Sequence, residues 1–129
     1  MEVERSRQFK SWADEIVDKA TAGDLHHLRM ARYVRDELGH LRGLQQEPEH
    51  DTATLKWVRQ KKKYRVWRLS HPFDENMAVR VICWFPPDAD TVVVVLFAAN
   101  KASMGDVFYD SVGSRADQVI EQWLRERRQ

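Results

Sequence analysis

Phe9, Trp12, Ala13, Ile16, Val17 and Ala20 recur along one face of a 3.6-residue period, which predicts an amphipathic helix. Gly23 ends it and Asp24 is placed to cap the next. Leu25, Leu28, Ala31, Val34, Leu38 and Leu41 trace a second apolar stripe, and the short Ala22–Asp24 joint folds the two helices into an antiparallel hairpin. Residues 43–53 are polar, contain Pro48 and read as a loop. From Leu55 the period changes, with strands expected at 55–59 and 63–70 and a turn at His71–Asn76. Residues 78–85 alternate, with Val79, Val81, Cys83 and Phe85 on one face and Arg80, Ile82 and Trp84 on the other. Pro86 and Pro87 force a further turn. Residues 91–98, TVVVVLFA, are apolar on both faces, as in a strand covered from both sides. A last helix is expected from about Ser114, its N-cap, with Asp117 in the first turn and Ala116, Val119, Ile120 and Trp123 on the apolar face. A short extra strand at Glu2–Glu4 completes the pattern. The expected class is α+β: a helical hairpin packed on a small, mostly antiparallel sheet, with a C-terminal helix, in one domain over 1–129.

Charge sharpens this outline. The chain has a formal net charge of +1, yet residues 55–70, LKWVRQKKKYRVWRLS, hold seven cations and no acid. Lys56, Arg59, Lys61, Lys62, Lys63, Arg65 and Arg68 are interleaved there with Trp57, Tyr64 and Trp67. A local basic field beside flat π-faces suits a phosphate backbone with unstacked bases. A solvated edge strand protected by its lysines is the plainer explanation. The longest apolar run, Thr91–Ala99, falls far short of the roughly 20 residues of a membrane span. No apolar leader follows Met1, and a single cysteine excludes an internal disulfide and a multi-cysteine zinc site. These features lead to the expectation of a cytoplasmic protein with no membrane, metal or cofactor.

Several stretches resemble the RelE/ParE superfamily of bacterial toxins, in its HigB-like or phage-derived Gp49-like branch. They are Phe9-x-x-Trp12, Leu55-Lys56-x-x-Arg59, Tyr64-Arg65-Val66 with Val79-Arg80-Val81, Val94–Ala99 followed by Lys101, and Phe108-Tyr109 followed by Arg115-Ala116-Asp117. Their order covers most of the chain. The resemblance implies a RelE-like toxin domain that cleaves messenger RNA, in many relatives on the ribosome, and so inhibits translation. It also implies a small cognate antitoxin, with a helix-turn-helix domain, that covers the basic cleft. Two departures matter. The turn after the last strand, Asn100–Met104, holds one lysine and no arginine, and Ala78-Val79 stands where the family has Gly-Tyr. A binding protein of the same fold without nuclease activity, inhibiting gyrase or only pairing with a regulator, therefore stays open.

Metal-independent RNA cleavage needs a base for the 2′-hydroxyl, an acid for the leaving 5′-oxygen, and cations on the phosphorane. Arg80 is the first candidate stabiliser, since a guanidinium fork fits two phosphate oxygens and stays charged. A structural salt bridge to Asp74 or Glu75 is its alternative use. Arg68, on the neighbouring strand, joins it if it shares the same face, which alternation alone leaves open. Lys101 sits at the cleft rim by its place after the central strand. Tyr109 enters through the resemblance, for stacking or proton transfer, with simple packing as its alternative. Lys56, Arg59, Lys61, Lys62, Lys63 and Arg65 are the candidate RNA-binding set. His71 has a reference pKa near neutrality, but a loop histidine before proline is more often exposed and idle. Arg80 with Trp84, and Arg65 with Trp67, form base-stacking platforms if their faces line the cleft, and core if not. Cys83 reads as a small core residue.

Overall fold

The computed structural model describes residues 1–59, 63–104 and 111–127, with the backbone alone at 103 and 104. In chain order the elements are β1 (Glu2–Arg5), α1 (Arg7–Thr21), α2 (Leu25–Arg42), β2 (Leu55–Trp57), β3 (Trp67–Ser70), β4 (Val79–Trp84), β5 (Val92–Asn100), a helical turn (Lys101–Met104) and α3 (Val112–Arg127). The fold is α+β: the described residues form three helices and a five-stranded mixed sheet of order β1-β5-β4-β3-β2. Among the described strands only the β1–β5 pair is parallel. That short first strand moves β5 off the sheet edge, so the doubly apolar segment lies in the interior, as its pattern demands.

Local chemistry sets the helix ends. Ser6 caps α1, its Oγ accepting the Phe9 N–H at 3.0 Å and donating to the Leu96 carbonyl of β5. Gly23 takes φ = 101°, which only glycine enters cheaply. Its N–H reaches the Ala20 carbonyl and that of Asp24 reaches Lys19, the paired bonds of a left-handed helix stop. The Asp24 carboxylate then accepts the His27 N–H at 3.2 Å and starts α2.

The sheet is covered on both faces. α1 and α2 pack on one, around Phe9, Leu41, Leu55, Trp67, Leu69, Val79 and Val81. α3 packs on the other, over Val66, Ile82, Trp84, Val94, Leu96 and Phe97, through Val112, Ala116, Val119 and Ile120. A bulge lets both layers close. Ile82 pairs with Phe97 but Cys83 pairs with Val95, so Leu96 is the extra residue and joins Phe97 on the α3 side. Among the described residues no helix is long and apolar enough to cross a membrane.

Three expectations are corrected and one open choice is resolved. Leu25 and Val17 do not join the core; they are 74% and 53% exposed at the hairpin end. The buried stripe of α2 instead runs Met30, Val34, Glu37, Leu38, Leu41. Strands β2 and β3 are shorter than 55–59 and 63–70 because Lys63 and Tyr64 give their N–H groups to the Asp117 carboxylate, not to a strand. α3 starts at Val112, so Ser114 lies inside its first turn and is not the cap; Ser111 supplies the carbonyl that receives the Arg115 N–H. Finally, Trp67 and Trp84 are both core. Trp67 is fully buried with Nε1 on Glu47 at 2.8 Å, and Trp84 meets Tyr64 and Trp123 edge-on.

Glu37 is the odd member of the hairpin layer. It is 3% exposed, and neither carboxylate oxygen has a hydrogen-bond partner among the described residues. Burial pushes its carboxyl up to about 9, with the Arg80 charge pulling the other way, so it is held neutral at pH 7.

Candidate nucleic-acid interface

Strand register settles which cations meet. Lys56 lies opposite Arg68, Arg68 opposite Ile82, and Ile82 opposite Phe97. Ile82 and Phe97 belong to the α3 side, so alternation places Lys56 and Arg68 there too. Arg80, two residues before Ile82, shares that face and is the diagonal neighbour of Arg68. Lys101 follows two residues after Ala99, the partner of Arg80, and its N–H bonds the Ala78 carbonyl at 2.7 Å. The face that α1 and α2 leave open thus carries a diagonal row, Lys56–Arg68–Arg80–Lys101, across β2, β3 and β4 to the helical turn after β5.

α3 adds a cation that the sequence analysis named only within a motif and gave no site role. The guanidinium of Arg115 lies 4.2 Å from the centre of the Phe97 ring, on the rung that Lys56 and Arg68 share. Its signal was weak: one arginine in the first turn of a predicted helix, with no way to know that Phe97 would lie beneath it.

Two cavities open along the row. One, of about 350 Å³, is lined by Lys56, Trp57, Arg59 and Arg68 over Ile82 and Val112, with Asp51 at its wall. The other, of about 290 Å³, holds Arg80 and Lys101 with residues of the β3–β4 turn. The predicted catalytic set is therefore on one face but divided between two hollows. Tyr109, Lys61 and Lys62 lie outside the described residues.

The remaining basic residues are partly committed. Arg59 pairs with Asp51 at 2.8 Å, and Lys63 with Glu121 at 2.6 Å. Arg65 stands 3.9 Å from Glu47. Among the described residues no guanidinium stacks on Trp84. The half-buried ring is Trp57, with the Arg59 and Arg65 guanidinium carbons 4.9 and 4.4 Å from its centre; Arg65 also lies 5.2 Å from Trp67.

The structural alternative for Arg80 is not realised through Asp74. That carboxylate receives the Tyr33 hydroxyl at 2.6 Å, the Asn76 N–H at 3.0 Å and the Arg29 guanidinium. These bonds, Tyr33 first, hold Asp74 below the usual carboxylate range. Among the described residues Arg80 forms no ion pair, and its one hydrogen bond goes to the Val79 carbonyl at 3.3 Å.

His71 is neither exposed nor a free base. It is 9% exposed and stacks on Tyr33 at 3.8 Å. Its Nε2 accepts the Val79 N–H at 2.9 Å, which leaves Nδ1 to carry the proton and donate to the Pro72 carbonyl at 2.7 Å. Cys83 is fully buried, and burial pushes its thiol up, away from the reactive thiolate. Among the described residues no group of His, Cys, Asp and Glu is arranged to hold a metal. Comparison with protein families, curated proteins and solved structures gave no match to this chain.

Proposed function

We propose that this chain is a RelE/ParE-like toxin of the bacterial cytoplasm that binds RNA on the α3 side of its sheet and cleaves it without a metal. Its partner on this reading is an antitoxin that covers the same basic face, and its RNA is messenger RNA, engaged with or without the ribosome. The carrying observation is the diagonal Lys56–Arg68–Arg80–Lys101 row with Arg115 beside it. A strip of cations on a β-face tracks a phosphate backbone, and a preorganised guanidinium stabilises charge that develops on a phosphorane. Arg80 is the member for that role, since no described carboxylate neutralises it by direct pairing.

A second reading rests on its own observation. Two groups able to pass a proton at the Arg80 cavity are already engaged: His71, which lines it, through both ring nitrogens, and Tyr33, stacked on His71, through Asp74. A binding protein of this fold that blocks its target without cutting RNA needs neither of them free.

One experiment separates them. Purified protein is mixed with a labelled messenger RNA, free and ribosome-bound, under single-turnover conditions. Cleavage by wild type, cut about a hundred- to a thousand-fold by Arg80→Ala with the circular dichroism unchanged, supports the nuclease. Arg80→Lys restores only part, because an ammonium lacks the two-pronged contact. RNA binding without cleavage in either setting moves the second reading ahead.

A further inference from the structure

The turn between β3 and β4 is built to hold one side chain in water. Phe73 is 93% exposed, the most exposed of the large apolar residues described. Its surroundings are the reverse of loose. On one side His71 is buried, stacked on Tyr33 and hydrogen-bonded through both nitrogens. On the other, Asp74 is tied to α2 by Arg29 and Tyr33, and its oxygens also take the Asn76 and Met77 N–H groups. Met77 then plunges into the core at 1% exposure. A ring so exposed forgoes the burial that normally stabilises phenylalanine, while the backbone on both sides of it is fixed.

Phe73 lines the same 290 Å³ cavity as Arg80 and Lys101. We infer that Phe73 is a stacking platform for one unpaired base of a single-stranded RNA whose phosphate lies against Arg80 and Lys101. This rests on the proposed RNA reading and adds to it a base contact outside the basic stretch. A nucleotide is the ligand that asks for a π-face and a cation side by side. A protein partner asks for something else, a buried anchor set within a contiguous apolar patch. Here, among the described residues, Phe73 is the one exposed large apolar side chain in its cavity: Pro72, Glu75 and Asn76 are the exposed residues beside it, Met77 is buried, and Asp74 is engaged with α2. Stacking on phenylalanine is indifferent to base identity, so the contact adds affinity without a sequence code.

The test uses two oligonucleotides of equal length, a mixed-sequence single-stranded RNA and an abasic strand with the same phosphates. Phe73→Ala should weaken RNA binding about five- to a hundred-fold and leave the abasic strand unaffected. Phe73→Trp should retain wild-type affinity, and Phe73→Leu should behave like Phe73→Ala. Arg80→Ala should weaken both strands. If Phe73→Ala binds RNA like wild type while Arg80→Ala does not, the platform is wrong and the RNA face stands. If Arg80→Ala and Phe73→Ala both bind like wild type, the RNA reading itself fails. Should Phe73→Ala keep its RNA affinity but lose a co-purifying protein, the ring is a protein anchor and the proposal falls.

Discussion

The two faces of the sheet are made of the same strands and have opposite contents. Under α1 and α2, alternate residues of β2–β5 are Leu, Trp, Val and Cys, sealed by Phe9, Leu38 and Leu41. On the α3 side the apolar residues gather on β4 and β5, and the outer strands present Lys56 and Arg68. Among the described residues one long helix covers the second face where two cover the first, and the corner it leaves open is where the cations and both cavities lie. Closure of one face supplies the stability that lets the other carry a row of like charges, which repel one another in the absence of a polyanion.

The sharpest way to break this contrast is on the closed face. Trp67→Ala should cost about 3–5 kcal/mol of unfolding free energy, read by urea denaturation, because the indole is fully buried and Glu47 loses its donor. The folded fraction should bind RNA as wild type does. A lost affinity at unchanged stability would mean that the faces are not separate in function.

Glu37 comes next. A neutral buried carboxyl stabilises the fold fully below its ordinary value of 4.5, where it is protonated in both states, and that contribution is lost as pH rises toward about 9. Wild-type stability should therefore fall across pH 5–9, by at most about 1.4 kcal/mol per pH unit. Glu37→Leu should flatten the fall and add about 1–3 kcal/mol at pH 8, because an unsatisfied polar group is removed. Thermal melts at pH 5 and pH 8 decide it; equal slopes in both proteins would show that Glu37 is ionised or solvated in the fold.

Changes on the open face should leave the fold nearly untouched. Lys56→Gln with Arg115→Gln should alter stability by less than about 1 kcal/mol, yet lower the slope of log affinity against log salt by about 1.4. An unchanged slope would assign these cations to solubility. The smallest effect is at Glu75, exposed at the rim of the Arg80 cavity. Glu75→Gln should tighten RNA binding about two- to threefold in dilute salt and leave it unchanged in 1 M salt, where screening is nearly complete.

Periodicity made most of this frame legible. The hairpin helices follow from Phe9 to Ala20 and from Leu28 to Leu41, and interior β5 from its unbroken apolar run. What stayed hidden depends on partners distant in sequence. Arg68 could not be assigned a face until its pairing with Ile82 fixed the register. Leu96 bulges for a reason that no strand pattern contains. Glu37 reads as surface by residue type, and Asp117 reads as an ordinary first-turn acid until the β2–β3 connection docks on it. Phe73 lay unremarked within the expected His71–Asn76 turn, because exposure is a property of the folded surroundings and not of the residue.

The pairing of β1 with β5 joins the two ends of the folding problem. Glu2 registers with Val92, and Ser6 reaches the Leu96 carbonyl 90 residues away. Such a contact closes only after the whole intervening chain has found its place, so loop entropy makes it a late and slow step. During synthesis the hairpin helices emerge long before the strand that completes their capping residue's bonds. An unfinished chain therefore exposes the apolar flank of α1 and lacks β5, Lys101 and α3. The basic face is assembled only once the residues from Val92 through α3 have been made.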